Sequence, residues 1–391
     1  MADKKVPELR FKGFKDDWEQ RKLGDESVIV AGGDVDKSKL LKVGRFPVLA
    51  NALTNDGVTG YYENDFRIEG PAVTVTGRGD VGHAKARKFN FTPTVRLLAV
   101  KSEHDVDFLE SAINNQKTIV ESTGVPQLTA PQLANYRIHF PKLEEEEQIG
   151  YFFKILSDTI TLHQRKLDSL HKLKTAYLQQ LFPQNGELVP RLRFAKYNEN
   201  WEQRKLGDSL SLLKDGTHGT HQDVADGEIF LLSAKNIKNG EVKITDSDRK
   251  ISKAEYEKIH QNFELKKGDV LLTIVGSIGE TAIINNPENI TFQRSVAYLR
   301  PKDNLSPYYL YSLITDYKFQ RELKTRQVVS AQPGIYLGDL SVIPIKYPIK
   351  LEEQQKIGKF FKTLDDTIKL HQHKVDEVIK LKKAYLQKMF I

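Results

Sequence analysis

The chain of 391 residues contains no cysteine, only two methionines and only two tryptophans. Without cysteine, neither a disulfide framework nor a thiolate zinc site can form. No G-x-S-x-G is present either, so nucleophilic catalysis has no candidate. No uninterrupted apolar run approaches membrane-spanning length, and the opening MADKKVPELRF lacks the apolar core of a signal peptide. These absences predict a cytoplasmic protein that does not engage a membrane. A P-loop is missing, and the ten histidines show no H-E-x-x-H or other ligand spacing. No metal site is therefore expected. The net charge of +7 is a modest push toward polyanionic partners, but it is spread diffusely and marks no face.

What is present is repetition. Pro7–Asp25 (PELRFKGFKDDWEQRKLGD) returns as Pro190–Asp208 (PRLRFAKYNENWEQRKLGD), and Leu143–Phe182 returns as Leu351–Phe390 with 25 of 40 positions identical. The segments between these blocks, 26–142 and 209–350, are barely alike. A duplicated scaffold carrying two different inserts presents two different recognition surfaces.

The longer block reads as a helix. Ile149, Phe153, Leu156, Ile160, His163, Leu167, Leu170, Lys174, Tyr177 and Leu181 alternate in steps of four and three. Their counterparts are Ile357, Phe361, Leu364, Ile368, His371, Val375, Val378, Lys382, Tyr385 and Met389. Such a heptad seam, held with no proline inside it, predicts two helices of about 30–40 residues. Glutamates crowd both first turns, where they suit the helix dipole, and Pro183 ends the first helix. Each seam is the other's obvious partner, and the duplication favours antiparallel packing. His163 and His371, at matched positions, read as a polar register-setting pair.

Both inserts are strand-rich. Ala72–Thr76, Thr94–Val100 and Tyr136–Phe140 are short β-branched or aromatic runs in the first. Glu228–Leu232, Glu241–Thr245, Asp269–Val275, Thr281–Ile284 and Val296–Arg300 are their like in the second. Helices are expected at Phe108–Asn115, Ser252–His260 and Tyr308–Leu323, with Tyr308, Tyr309 and Tyr311 as core. Gly77–Gly82 fits the dinucleotide pattern G-x-G-x-x-G, but the following HAKARKFNF is too short and polar for a crossover helix. A tight hairpin turn is expected there. Asn286-Pro287-Glu288-Asn289 does not match the Asn/Asp-Pro-Pro-aromatic motif of adenine methyltransferases.

An ordered series of motifs carries a resemblance. Asp215-Gly216-Thr217-His218-Gly219-Thr220-His221 resembles a DGTHxTP element, with His221 where proline is usual. Leu232–Ile237, Lys267–Thr273, Gly276–Gly279, Ser330–Gly334, Ile343-Pro344 and Leu351–Gln354 follow in order. In the first insert, Asn55–Tyr61 resembles an NGxxGY loop, and Gly77–Gly82, Gly124–Gln127, Phe140-Pro141 and Leu143–Glu145 follow; no DGTH is present. The series is similar to the DNA-specificity (S) subunits of type I restriction–modification systems and covers nearly the whole chain.

The resemblance implies an α+β architecture with a pseudo-two-fold internal repeat. Residues 1–142 would form a first target-recognition domain and 183–350 a second. Helices 143–182 and 351–391 would pair as an antiparallel coiled coil. Each domain would read one half of a bipartite, asymmetric site in double-stranded DNA, with the helix pair fixing the gap. The chain itself would be non-catalytic and hold no cofactor. Two methyltransferase subunits and the restriction/translocase subunits would bring S-adenosylmethionine, ATP and Mg. Base edges call for polar side chains on rigid loops, and phosphates for Lys and Arg. The expected DNA-binding residues are Asn51, Asn55, Arg78, Lys85 and Arg87 in the first domain. In the second they are Thr217, His218, Thr220, Lys235, Asn236 and Arg294. The rival reading is a scaffold that displays two protein-binding modules on a helical stalk and binds no DNA.

Overall fold

The computed structural model describes residues 6–117, 125–184, 186–328 and 333–391. The chain divides into two compact units, residues 1–165 with 372–391, and residues 166–371. Both long helices form, Leu143–Leu181 and Leu351–Met389, each of 39 residues. The unit boundary crosses each helix near its middle.

In the first unit Phe153 meets Phe390 at 5.7 Å, Phe152 meets Tyr385 at 4.9 Å, and Lys382 donates to Ser157 at 2.8 Å. Numbers rise along one helix as they fall along the other, so the pair is antiparallel. The second unit repeats this: Lys174 pairs with Asp365 at 2.6 Å and Tyr177 with Phe360 at 4.9 Å. Ile149, Phe153, Leu167, Leu170, Ile357, Phe361, Leu364 and Val375 are buried. Leu156, Ile160, His163, Tyr177, Ile368, His371, Val378 and Tyr385 are half-buried.

The helix ends are more than a strut. Ile149, Phe153, Met389 and Phe390 belong to the core of the first unit, with Trp18, Val73, Val100 and Phe108. Leu178, Leu181, Phe182, Ile357 and Phe361 belong to that of the second, with Trp201, Leu272, Leu299 and Tyr309.

The structure explains why the two repeated blocks travel together. Arg10 makes a bidentate ion pair with the buried Glu145 at 2.6 and 2.7 Å. Its repeat counterpart Arg193 does the same with the buried Glu353 at 2.7 and 2.9 Å. Leu9 N donates to Lys388 O at 2.8 Å, and Leu192 N to Gln180 O at 2.9 Å. In each unit the PxLRF segment therefore locks the end of one long helix to the start of the other.

The main sheets of the inserts share one topology despite their unlike sequences, and the second insert adds a ribbon that pairs Ile237–Lys238 with Glu241–Val242. The first unit has a four-stranded antiparallel sheet in the order Ser27–Ala31, Leu97–Ser102, Ala72–Thr76, Ala84–Arg87. The second has Leu210–Asp215, Val296–Pro301, Val270–Thr273, Thr281–Ile283 in the same order. Each adds a mixed three-stranded sheet and a two-stranded ribbon that pairs the repeated EQRK with the last strand before the helix, Arg137–Phe140 or Pro344–Tyr347.

Several expected elements differ in extent. The strand expected at Thr94–Val100 begins only at Leu97, because Thr94–Arg96 forms a turn with Arg96 at φ 74°. The helix expected over Tyr308–Leu323 is two helices, Pro307–Thr315 and Tyr317–Thr325. Asp316 between them is extended, and its carboxylate caps the second by accepting from Lys318 N at 3.2 Å. Tyr309 and Tyr311 are core as expected, whereas Tyr308 lies at the surface. Gly77–Gly82 is the expected hairpin turn between two antiparallel strands.

One ion pair of the repeat is missing from the first unit. Lys382 corresponds to Lys174, yet it faces Ser157 where Lys174 faces Asp365. Burial therefore pushes the Lys382 ammonium down, and the Glu110 carboxylate, which makes no ion pair with it, offsets this only in part. Substituting Ser157→Asp should rebuild the missing pair and stabilise the first unit by about 1 kcal/mol, net of desolvation. Denaturant melts should show a higher midpoint, and the gain should vanish in a Lys382→Met background.

Candidate DNA-reading site

Asp215 ends a strand, paired with Ala297. At Gly216 an added Cβ would lie 2.2 Å from Phe292 O and 2.3 Å from Gln293 O, so only glycine permits the close approach. Thr217 can then bridge the neighbouring segment, its N–H donating to Phe292 O at 2.8 Å and its carbonyl accepting from Arg294 N at 3.0 Å. His218 follows, exposed, with Nε2 2.6 Å from the Asp215 carboxylate. Asp215, His218 and Arg294 line a cavity of about 480 Å³ together with Ile274, Val275 and Tyr336. Tyr336, which the sequence did not single out, stands exposed there.

The first unit builds the same frame from different residues. Gly32 donates to Leu97 O at 2.8 Å as Gly216 does to Val296 O at 2.9 Å. A Cβ on Gly32 would lie 2.0 Å from Thr94 O. Ala31-Gly32-Gly33-Asp34 is thus the structural counterpart of DGTH, invisible in the sequence because only the glycine and its hydrogen bonds persist.

The turn beside it also matches. Gly82 N donates to Thr76 O at 2.8 Å, and Gly279 N to Thr273 O at 3.0 Å. The late turn supports it in each unit: Gly79 N donates to Pro126 O and Gly276 N to Pro333 O. Gly124 and Ser330–Gln332, which the resemblance included, lie outside the described residues. By this correspondence, Thr217, His218 and Arg294 stand where the first unit carries Gly33, Asp34 and Val95.

The expected DNA-binding residues fall into two groups. Arg78, Lys85, His218, Thr220 and Arg294 are exposed, as is Lys235, which pairs with Asp248 at 2.9 Å. Bonds from Asn236 and Lys235 hold that aspartate well below the usual carboxylate range. The others, Asn55 among them although it is exposed, are committed to the fold by their own hydrogen bonds. Arg87 is buried, donating to Thr74 Oγ1 at 3.1 Å and to the Asp56 carboxylate at 2.6 Å. Asn236 is buried, accepting from Ser233 N at 3.0 Å and donating to Lys243 O at 2.9 Å. Asn51 braces the glycine turn, accepting from Gly77 N at 2.7 Å and donating to Arg78 O. Asn55, at φ 49°, is a turn former that bonds to Val58 O at 2.9 Å. Thr217 is half-buried and bonded through its hydroxyl to His221. Among the described residues no cluster of metal-ligating side chains occurs, and no helix is long and apolar enough to cross a membrane.

A family model described as the type I restriction modification DNA specificity domain matches residues 15–172 and 198–381. The chain is 23% identical over 281 residues to the type I restriction enzyme MjaVIII specificity subunit of Methanocaldococcus jannaschii, covering 69% of this chain and 65% of that one. It is 28% identical over 265 residues to the type I restriction enzyme EcoBI specificity subunit of Escherichia coli, covering 63% and 54%. The matches thus span somewhat under two-thirds of these relatives' lengths. The fold is that of a crystal structure of a type I restriction–modification S subunit from M. genitalium, with TM-score 0.72, 16% identity and 99% of each chain covered. The chain belongs to the family of type I DNA-specificity subunits.

Proposed function

We propose that this specificity subunit reads a bipartite, asymmetric site in double-stranded DNA, one half with each unit. The observation that carries this is one backbone frame built twice with unlike rims. Gly216 and Gly32 make the same close approach, but the residues that follow are Thr217 and His218 in one unit and Gly33 and Asp34 in the other. A common frame suits one kind of ligand, and different donors and acceptors suit different base sequences. On this reading Arg78, Lys85, His218, Thr220, Lys235 and Arg294 contact DNA. Asn51, Asn55, Arg87 and Asn236 hold the loops that do so. Residues 1–142 and 183–350 act as the two target-recognition domains. The long helices set the gap and dock two methyltransferase subunits. Those subunits and the restriction/translocase subunits bring S-adenosylmethionine, ATP and Mg, and the complex works in the cytoplasm.

Two measurements test this. Duplex binding by the full chain with its methyltransferase subunits should weaken steeply with salt, with log affinity falling linearly in log salt concentration. A flat salt response would favour the protein-binding scaffold. Replacing residues 209–350 with another specificity subunit's insert should change one half of the methylated site and leave the other intact. A change in both halves would refute the modular reading.

A further inference from the structure

We propose that His221 and Glu255 fix the hydrogen-bond polarity of the Thr217 hydroxyl, so that Thr217 presents only an acceptor to DNA and selects a base carrying an amino group. This rests on the second unit being a DNA reader. Three side chains form a line. Thr217 Oγ1 lies 2.9 Å from His221 Nε2, and His221 Nδ1 lies 2.8 Å from Glu255 Oε1. The His221 side chain is only 8% exposed, so these partners rather than water satisfy its ring nitrogens. The surroundings hold it in place. Arg249 donates to His221 O at 2.8 Å while pairing with Asp223 at 2.6 Å. Ser252 caps the helix Lys253–Ile259, accepting from Glu255 N at 3.2 Å, which sets Glu255 in its first turn.

The polarity follows from the chemistry of each group. The bond from His221 holds the Glu255 carboxyl below its ordinary range, so it is ionised and only accepts. His221 Nδ1 must then carry the proton. In the neutral ring Nε2 has a lone pair and only accepts, so the single hydroxyl proton of Thr217 points to it at 2.9 Å in preference to His218 O at 3.5 Å. What remains on Thr217 Oγ1 is acceptor capacity. The backbone of Thr217 is fixed by bonds from its N–H and to its carbonyl, and the contact with His221 Nε2 sets the rotamer of its hydroxyl. In the major groove only adenine N6 and cytosine N4 donate, while guanine O6 and N7 and thymine O4 accept. The relay therefore favours an amino-bearing base at one position and disfavours guanine and thymine. The first unit has Gly33 at this place and no such device.

The test uses the full chain with its methyltransferase subunits at pH 8. A randomised duplex pool selected by the wild type defines the half-site, and duplexes carrying each base pair at each position then give relative affinities. The wild type should favour an amino-bearing base at one position by roughly 5- to 100-fold. Thr217→Val should abolish that preference. Glu255→Gln, whose amide can face Nδ1 with either atom, should lose most of it. In the Thr217→Val background Glu255→Gln should change nothing further. Nitrogen-15 spectra should show His221 protonated at Nδ1 in the wild type and not uniquely so in Glu255→Gln. If Glu255→Gln weakened all four base pairs equally, or acted as strongly without Thr217, the pair would be merely structural and the proposal overturned. A wild type that selects no sequence would overturn the DNA-reading premise instead.

Discussion

Replacing Arg193 by alanine should cost the second unit about 3–5 kcal/mol, because it leaves Glu353 buried without its partner. The pair is bidentate at 2.7 and 2.9 Å, with Glu353 essentially fully covered, so the orphaned carboxylate has neither water nor a cation. The deficit should shrink as pH falls. A buried, unpaired carboxyl has a folded-state pKa above its unfolded value, so the folded variant takes up a proton first and recovers stability at low pH. Removing both charges, as Arg193→Met with Glu353→Leu, should restore most of the loss. Trp201 is the single tryptophan of the second unit and Trp18 that of the first. Denaturation followed by fluorescence in a Trp18→Phe background therefore reports the second unit alone. A loss below about 1 kcal/mol would show that the pair is not structural. Arg10→Ala should act likewise on the first unit through Glu145.

Lengthening both long helices by one heptad should lengthen the gap in the recognised DNA site. Insertions belong after Arg165 and after His371, because the helix ends are anchored: Leu178, Leu181 and Phe182 lie in one core, Met389 and Phe390 in the other. Seven residues keep the seam in register and add about 10 Å to each helix at 1.5 Å per residue. That is near three base pairs at 3.4 Å each. The variant should methylate both original half-sites at a gap about three base pairs wider. A single-residue insertion rotates everything beyond it by roughly 100° and should abolish methylation. Mapping methylated adenines in cells that express the variant with its methyltransferase distinguishes these outcomes. Retention of the original gap would show that the helices do not set it.

Some features were legible because their causes are local. The seam from Ile149 to Tyr177 repeats within a few residues of itself, and Pro183 stops the helix by its own covalent geometry. Ala72–Thr76 is the same five residues by sequence and by structure, since a buried β-branched run declares itself. The polar EQRK strands were not legible. Nothing in Glu19–Lys22 or Glu202–Lys205 alternates, and each is a strand only because the last strand before a helix pairs with it. The break at Asp316 was likewise hidden, because the apolar spacing of Tyr308–Leu323 runs on through the cap.

The site divides along the same line. Residue types and the motif order were enough to point to the DGTH loop, and the repeat was enough to expect two readers on matched helices. Which polar groups remain available was decided by tertiary structure. Arg87 and Asn51 carry the chemistry of DNA contact, yet Thr74, Asp56 and the glycine turn consume it. Ala31–Asp34 has no likeness to DGTH, yet the approach of Gly32 to Thr94 puts it in the same place. Periodicity, caps and duplication are properties of the chain read in order, so the sequence alone determined the helices, the repeat and the family. Burial and hydrogen-bond satisfaction depend on partners tens of residues away, so only the folded chain decided which side chains keep their polar groups exposed and which spend them on the fold.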